Sequence, residues 1–543
     1  MTTLFIQEFH RPKVSRIGDA ALCIVVLLAG TVFPRLMLLG LFPVSDEGYY
    51  AYVAQQIHHS LANGQGIPDS GGLSLYPMLC SWVFSLQYNP MIALRLIDFG
   101  MAVVMAFLLY RVLARTCNSN TGAACLTIVF TFTLNQFGFI DSGFKNSIIV
   151  AFVPLLLALY VGIVTLQDKK SKNAWWLAGA LMALAVVFRE TFVSFAVLGL
   201  VGVFIAQGRG AALRFFIGGV ATGIVWIGGI VIARGGVAEV VAAYQSAGIQ
   251  IGSTTLASRL ENFTFYGGVA IRFAPLVAAF GALSLVIVSV ALFLRRERSL
   301  FLATVFWLSF IGVAMLEPIM KMCYPYHFTI AFPGLAGLCA LALREIIRIW
   351  PVMQWRRMNN ALAVAGIVLS AGWMYFACSR LAVAYWPTTL ETLLAAPNEG
   401  WPEKFTSRSV YLSMAAEVKK VMPENGTLVI SRGMHALYPL TGHLPPVYRL
   451  NDLGVIAHLL HFSIPDIQRE LLGCAPDVLV VTTMDESLPE AIRTTRIYRI
   501  AARIPFDKEG RGPFDGVIIF RKTQETACVE TQGMADWLKG IKK

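Results

Sequence analysis

The sequence predicts a polytopic α-helical membrane protein with about eleven transmembrane helices and a C-terminal soluble α/β domain on the outer face. Three observations predict it. The 543 residues are 56% hydrophobic and only 14% charged, whereas an ordinary soluble domain is about one-quarter charged. The mean hydropathy is +0.64. The formal net charge of +12 is unevenly placed: residues 1–385 hold 26 basic and 14 acidic residues, and residues 386–543 hold 18 of each. A basic balance can serve nucleic acid, a membrane surface or an anionic substrate. Here the whole excess lies in the apolar part. The composition excludes a soluble enzyme and a disordered chain, and the placement of the charge excludes a nucleic-acid-binding domain.

A hydrocarbon core about 30 Å thick needs roughly 20 apolar residues in a helix. Spans are expected near 19–42, 91–114, 121–138, 147–166, 174–188, 191–207, 214–233, 267–294, 300–316, 326–343 and 360–384. The short ones around Arg189 and Lys321 suggest bent or re-entrant segments. Arg11, Lys13 and Arg16 before the first span resemble a signal-peptide start. The apolar stretch that follows is too long for one and lacks a small-residue cleavage site, so it is expected to stay as an anchor.

Lys and Arg in short loops set orientation. With a cytoplasmic N-terminus, every even loop is basic, and these loops with their flanking span ends hold 17 of the 26 basic residues of 1–385. The expected location is the inner (cytoplasmic) membrane, with residues 386–543 periplasmic. The other nine, Arg35, Arg95, Lys145, Arg189, Arg234, Arg259, Arg272, Lys321 and Arg380, fall at or near the outer ends of spans. Ionisable groups at such depth usually face a cavity or a partner. As a set they point to an anionic ligand at the outer face; singly, anchoring or a local ion pair such as Arg189 with Glu190 serves equally well.

The first outer loop, 43–90, carries the most information. Asp46 and Glu47 follow the first span directly, and Tyr50, Val53, Ala54 and Ile57 are spaced to form one helical face. The pattern predicts an amphipathic helix lying in the membrane interface, on which Asp46 and Tyr50 share a face. Ser45-Asp46-Glu47 also reads as a helix start with acids in the first turn. In the tail, 410–421 and 464–472 read as helices, and TLVIS (427–431) and VLVVTT (478–483) as buried strands. Of the nine cysteines, seven lie in or beside spans as small hydrophobes; Cys474 and Cys528 in the tail could pair in an oxidising compartment. No CxxC, HExxH, P-loop or GxGxxG pattern is present.

These residues carry a resemblance. The acidic pair after the first span, Tyr50 three residues beyond Glu47, and the later Leu75-Tyr76-Pro77 resemble the first outer loop of GT-C glycosyltransferases. That superfamily uses polyprenyl-phosphate sugars and includes protein O-mannosyltransferases and lipid A aminoarabinose transferases. Ala93-Leu94-Arg95-Leu96 and the span ending LLYRVLAR (108–115), the turn LAVVFRET (184–191) and YHFTIAFP (326–333) are similar to its later segments. In the tail TLVIS, ALYPLTG (436–442) and PDVLVV (476–481) match a recurrent outer domain. Two departures stand out: Lys145 sits where many relatives have an acid, and the Lys-Pro-Pro of some relatives is missing before Tyr76. The resemblance implies the GT-C fold for 1–385, an α/β domain over 386–543 and an inverting transfer.

Such a transfer breaks an anomeric C–O bond beside a phosphate. It needs a carboxylate to take the acceptor's proton and cations or donors to hold the departing phosphate. Asp46 is the candidate base. Glu47 is the second choice, or an orienting or metal-binding neighbour, and Asp141 is the third. Lys145, Arg189, Lys321 and Arg95, with His327 as an added donor, are candidates for the phosphate, and Tyr50, Tyr324 and Tyr326 for the sugar. No cofactor is expected, although a divalent cation is admissible. The expected partners are a polyprenyl-phosphate-linked pentose or hexose, a lipid, protein or glycan acceptor, and membrane lipids, with no nucleic acid. Two rivals remain: a transporter or flippase for a lipid-linked sugar, which would need mid-membrane charges in both halves, and an enzyme like the O-antigen polymerases and ligases.

Overall fold

A computed structural model describes residues 16–38, 45–64, 75–86, 88, 90–135, 147–168, 173–238, 240–241, 255–320, 324–349, 406–431, 434–446, 452–453, 464–482, 487–505 and 516–523. Among these, eight helices are long and apolar enough to cross a membrane: Asp19–Leu36, Pro90–Cys117, Ile148–Gln167, Glu190–Gln207, Arg209–Ala233, Pro275–Arg295, Arg298–Met320 and Pro325–Arg348. The chain is an integral membrane protein. Its peripheral helices turn large apolar side chains such as Val225 and Phe293 outward, which only a hydrocarbon solvent permits over so wide an area.

The count of eleven spans is not matched among the described residues. The expected spans at 121–138 and 174–188 correspond to α6 (Asn120–Leu134) and α8 (Ala174–Phe188), both apolar but of 15 residues. At 1.5 Å per residue each covers about 22 Å, short of the hydrocarbon thickness. The expected span at 267–294 is split: α11 (Leu256–Phe273) stops, and α12 (Pro275–Arg295) starts on a proline at its first turn, where the missing N–H costs nothing. The expected span at 360–384 lies outside the described residues.

The remaining membrane elements are α1 (Arg16–Leu27) and α2 (Phe33–Leu38), joined through a π-helical turn, then α5 (Pro90–Cys117), α7 (Ser147–Asp168), α9 (Val193–Gln207), α10 (Arg209–Ala233), α13 (Arg298–Ala314), the short α14 (Leu316–Met320) and α15 (Phe332–Ile349). Two breaks matter for the site. At Arg189 the chain leaves α8 in extended conformation and re-enters helix through a single 3-10 turn. Residues Pro325–Ala331 form another 3-10 turn before α15. Both fall where the short apolar runs suggested bends.

The tail contributes a four-stranded sheet: β1 (Leu428–Ile430), β2 (Val478–Thr482), β3 (Tyr498–Pro505) and β4 (Gly516–Lys522), in spatial order β1-β2-β4-β3. β1 runs parallel to β2 (Val429 opposite Leu479), and the other pairs are antiparallel (Val480 opposite Ile519). Alternate side chains point to opposite faces, and both faces are covered. Val429, Leu479, Val481 and Phe520 pack with Leu471 of α18 (Ile464–Gly473) and Ile492 of α19 (Ser487–Thr494). Ile430, Val480 and Ile519 pack with Met414 and Val418 of α16 (Thr406–Val421) and with Tyr438 of α17 (Leu437–Thr441). Cys474 is disulfide-bonded; Cys528 lies outside the described residues.

The second face also takes in the loop that follows the first span. Helix α3 (Ser45–Ala62) sends Tyr52, Val53 and Ile57 into the sheet's core. Its other side, Ala51 and Ala54, packs on Tyr76 and Cys80 of α4 (Leu75–Cys80) and on Met91 and Ile92 of α5. The expectation of one apolar face lying on the membrane is therefore corrected. α3 is buried on both sides, between the bundle and the sheet domain. Full burial of side chains such as Val53 and Ile57 contributes about 1.5–3 kcal/mol each, so the loop helix and the tail stabilise one another.

Gly48 makes the seam close. A Cβ there would stand 2.6 Å from the backbone nitrogen of Ala436. The Gly48→Ala variant is expected to lose about 1–3 kcal/mol, read as a lowered melting temperature of the detergent-solubilised chain. Unchanged melting would mean that the seam is not tight.

Asp477 ties β2 to its neighbours. Burial alone would raise its carboxyl pKa, but the Thr427 N–H (2.8 Å), the Thr427 hydroxyl (2.9 Å) and the Lys522 ammonium (3.3 Å) outweigh burial and hold it below its usual value. Because the folded-state value is depressed, the stabilisation is present above the unfolded value of about 3.9 and is lost as pH falls through the lower folded value. Asp477→Asn should be less stable than wild type at pH 7. The gap should close on acidification below about pH 4 in pH-dependent unfolding.

Candidate active site

The site lies where the N-terminal ends of α3 and α5 meet the two breaks. Glu47, in the first turn of α3, is gripped bidentately by Arg95 of α5: Nε donates to Oε1 at 2.5 Å and Nη2 to Oε2 at 2.8 Å, with both side chains at most 2% exposed. One turn further along α5, Asp98 accepts a short hydrogen bond from the hydroxyl of Tyr76. Arg35 in α2 lies within electrostatic reach of Asp98 and donates from Nε to Asn135 Oδ1 at 2.8 Å. Asn135 in turn donates to the Gly30 carbonyl at 3.1 Å. Gly30 is needed there, since a Cβ would overlap the Thr131 hydroxyl. Arg35, Asp98, Arg95 and Glu47 are thus all buried at one end of the bundle.

A second cluster forms around the Arg189 break. Its guanidinium holds Glu317 of α14 bidentately, with Nε on Oε2 at 3.0 Å and Nη2 on Oε1. The Thr191 hydroxyl donates to the same carboxylate. His327 Nε2 stands 3.8 Å from Glu317 Oε1. The Tyr324 backbone N–H donates to His327 Nδ1 at 3.2 Å, so a neutral ring carries its proton on Nε2, facing the carboxylate. Tyr324 and Tyr326 stack with ring centroids 5.9 Å apart, and the Tyr326 ring lies 4.3 Å from that of His327. Tyr50 joins the clusters. It meets Tyr76 edge-on at 5.9 Å and lies within electrostatic reach of Arg189, as does Tyr326.

The expected site residues fall as follows. Asp46 occupies the first turn of α3, next to Glu47. Arg95, Arg189, His327, Tyr50 and Tyr326 converge on the two clusters, with Tyr324 at their edge. Asp141, Lys145 and Lys321 lie outside the described residues. Arg189 pairs with Glu317 across the bundle. Asp98, Glu317 and Asn135 are central to the geometry but were not singled out from the sequence, and Tyr76 was named there only as part of the Leu75-Tyr76-Pro77 resemblance. Asp98 and Glu317 each interrupt an apolar run, a signal of the same kind as the nine cations. Among the described residues no group of three or more His, Cys, Asp or Glu is placed to hold a metal ion.

No protein-family model matches the sequence, and no curated protein matches it. Solved structures do. ArnT from Cupriavidus metallidurans, in the apo state, superimposes with a TM-score of 0.53 at 12% identity over 93% of this chain and 98% of that one. The oligosaccharyltransferase of Archaeoglobus fulgidus, tethered to an acceptor peptide with an NVT sequon, gives 0.50 at 11% identity over 94% of this chain and 74% of that one. Both are members of the GT-C superfamily. The chain therefore has the GT-C fold: a helical membrane bundle carrying a small sheet domain at its C-terminus.

Removing one partner of a buried ion pair leaves the other charge uncompensated and typically costs about 3–5 kcal/mol. Glu317→Gln should lower thermal stability on that scale. The double variant Arg189→Met/Glu317→Gln should recover part of the loss. A double variant no more stable than the single would show that the pair is not coupled as the geometry requires.

Proposed function

We propose that the chain is a membrane glycosyltransferase that moves a pentose or hexose from a polyprenyl-phosphate donor to a lipid, protein or glycan acceptor at the outer face. One observation carries the reading. On a GT-C fold, the acidic start of α3, two buried arginines, a histidine and a group of tyrosines converge at one end of the bundle.

The acceptor hydroxyl attacks the anomeric carbon. The bond from that carbon to the phosphate oxygen breaks, and the polyprenyl phosphate departs with the electron pair. The acceptor's proton passes to a carboxylate. Both oxygens of Glu47 are engaged by Arg95, which makes it a poor base and a good support for the first turn of α3. Asp46, its neighbour in that turn, is then the base. Arg189 has its charge matched by Glu317, so the departing phosphate must draw on Nε2 of His327, on the tyrosine hydroxyls, and on Lys145 and Lys321. The inverting outcome rests on the resemblance to the superfamily. A divalent cation has no step assigned to it.

Purified protein supplied with a panel of polyprenyl-phosphate sugars tests this. Asp46→Asn is expected to transfer about 10²–10⁴-fold more slowly than wild type, the usual worth of general-base help. Transfer at the wild-type rate would overturn the assignment of the base. Failure of every lipid-linked sugar to bind would overturn the transferase reading.

A further inference from the structure

A cavity of about 360 Å³ lies among α7, α8, α9, α13 and α15, at the end of the bundle opposite the candidate site. Arg115 at its mouth is twenty residues along α5 from Arg95, or about 30 Å at the helical rise. The two places are therefore separate. The walls are apolar, from Leu159, Leu198 and Phe306, and the glycines Gly162 and Gly202 leave room where side chains would stand. Along α7 the cavity runs from Gln167 back to Ala158, and along α13 from Ser299 to Ser309. Nine or ten residues of helix span about 14–15 Å, half the hydrocarbon thickness. The cavity is one leaflet deep.

Its edge opens sideways. Val201 and Ile205 of α9 and Val305 of α13 line it and are 48%, 57% and 41% exposed, so the cavity is continuous with the lipid-facing surface between these two helices. Its mouth is basic. Arg115, Arg344 and Arg348 line it together with Glu297. Behind them Glu345, fully buried, accepts from Arg295 and Arg344, each at 3.0 Å, and lies 3.5 Å from Arg348. Arg348 also reaches Glu297 at 3.3 Å. Among the described residues, Arg295, Arg344 and Arg348 thus face the two carboxylates Glu345 and Glu297, and Arg115 lines the same cavity, an excess of positive charge that complements an anionic phosphodiester.

We propose that this cleft binds an anionic glycerophospholipid of the leaflet opposite the candidate site. One acyl chain lies between α9 and α13, and the headgroup phosphate sits against Arg115, Arg344 and Arg348. A water-soluble ligand would gain nothing from a slot open to hydrocarbon, and a zwitterionic lipid would leave the excess positive charge unmatched.

Native mass spectrometry of the full-length protein, given equimolar phosphatidylglycerol and phosphatidylcholine of identical chains, tests the proposal. Wild type should retain phosphatidylglycerol about tenfold over phosphatidylcholine, the scale of one charge-assisted hydrogen bond. Arg115→Gln/Arg348→Gln should abolish that preference while still binding lipid. At Gly202 the nearest atoms to an added Cβ are in the Phe306 ring at 3.8 Å, and at Gly162 in the Trp175 ring at 3.7 Å. Gly202→Leu, and independently Gly162→Leu, should therefore fill the slot without backbone collision and lower retention of both lipids about tenfold. Two filled variants are used so that one misfolded protein does not decide the matter. Equal retention of the two lipids by wild type would overturn the anionic assignment. Wild-type retention by a folded, filled variant would overturn the site. Displacement of phosphatidylglycerol by equimolar polyprenyl phosphate would assign the cleft to a polyprenyl chain instead.

Discussion

The burial of helix α3 on both sides is the constraint on which the rest of this structure depends. A helix that follows the first span by a few residues would ordinarily lie on the membrane surface, with one apolar face and one wet face. Here Ala51 and Ala54 pack against α4 and α5, and Tyr52, Val53 and Ile57 complete the core beneath the tail's sheet. Gly48 lets the Ala436 backbone approach closely. The Glu47–Arg95 pair then anchors the first turn of α3 to the start of α5. A fully buried ion pair carries a large desolvation cost, so it is weak evidence for stability. Its bidentate geometry does define where that turn sits. The acidic start of α3 is thereby fixed at the N-terminal end of α5.

The site is built from interruptions rather than from continuous helices. Arg189 is extended between two helices, the His327 turn is 3-10, and the first span passes through a π-helical turn. At each break backbone groups leave the helical ladder, and polar side chains can reach inward at membrane depth where lipid offers no hydrogen bonds. The Tyr324 N–H on His327 is one such satisfied group. Three of the nine cations expected at the outer ends of spans are committed to carboxylates or amides. Arg95 is held by Glu47, Arg189 by Glu317, and Arg35 donates to Asn135. An unmatched charge at that depth is too costly to leave in place, and only those lining a polar cavity can remain available to a phosphate.

Much of this was legible in the sequence because its physical cause is local. Hydrophobic length marks a span, a lone arginine in an apolar run marks a buried polar site, and proline or a shortened run marks a break. TLVIS and VLVVTT read as buried strands because each carries an unbroken apolar run, LVI and VLVV, and in the sheet both faces are indeed covered. The partners of the charges were not legible. Glu317 is 128 residues from Arg189, and Glu47 is 48 from Arg95. No periodicity connects them. The acid nearest in sequence is Glu190, and the turn at Arg189 brings its guanidinium to Glu317 across the bundle.

By itself the sequence determined that the chain enters a membrane, roughly where its helices run, where they break, and which residues are too polar for their surroundings. These are properties of composition and short-range pattern, set by the solvent each segment must occupy. Only the tertiary structure decided that the loop helix packs between the bundle and the sheet rather than lying on a surface, that Arg95 and Arg189 come already paired, and that a basic-mouthed cleft opens at the far end of the bundle. Those depend on which segments are brought within a few ångströms of one another. Close packing and the pairing of buried charge select that arrangement from contacts far apart in the chain.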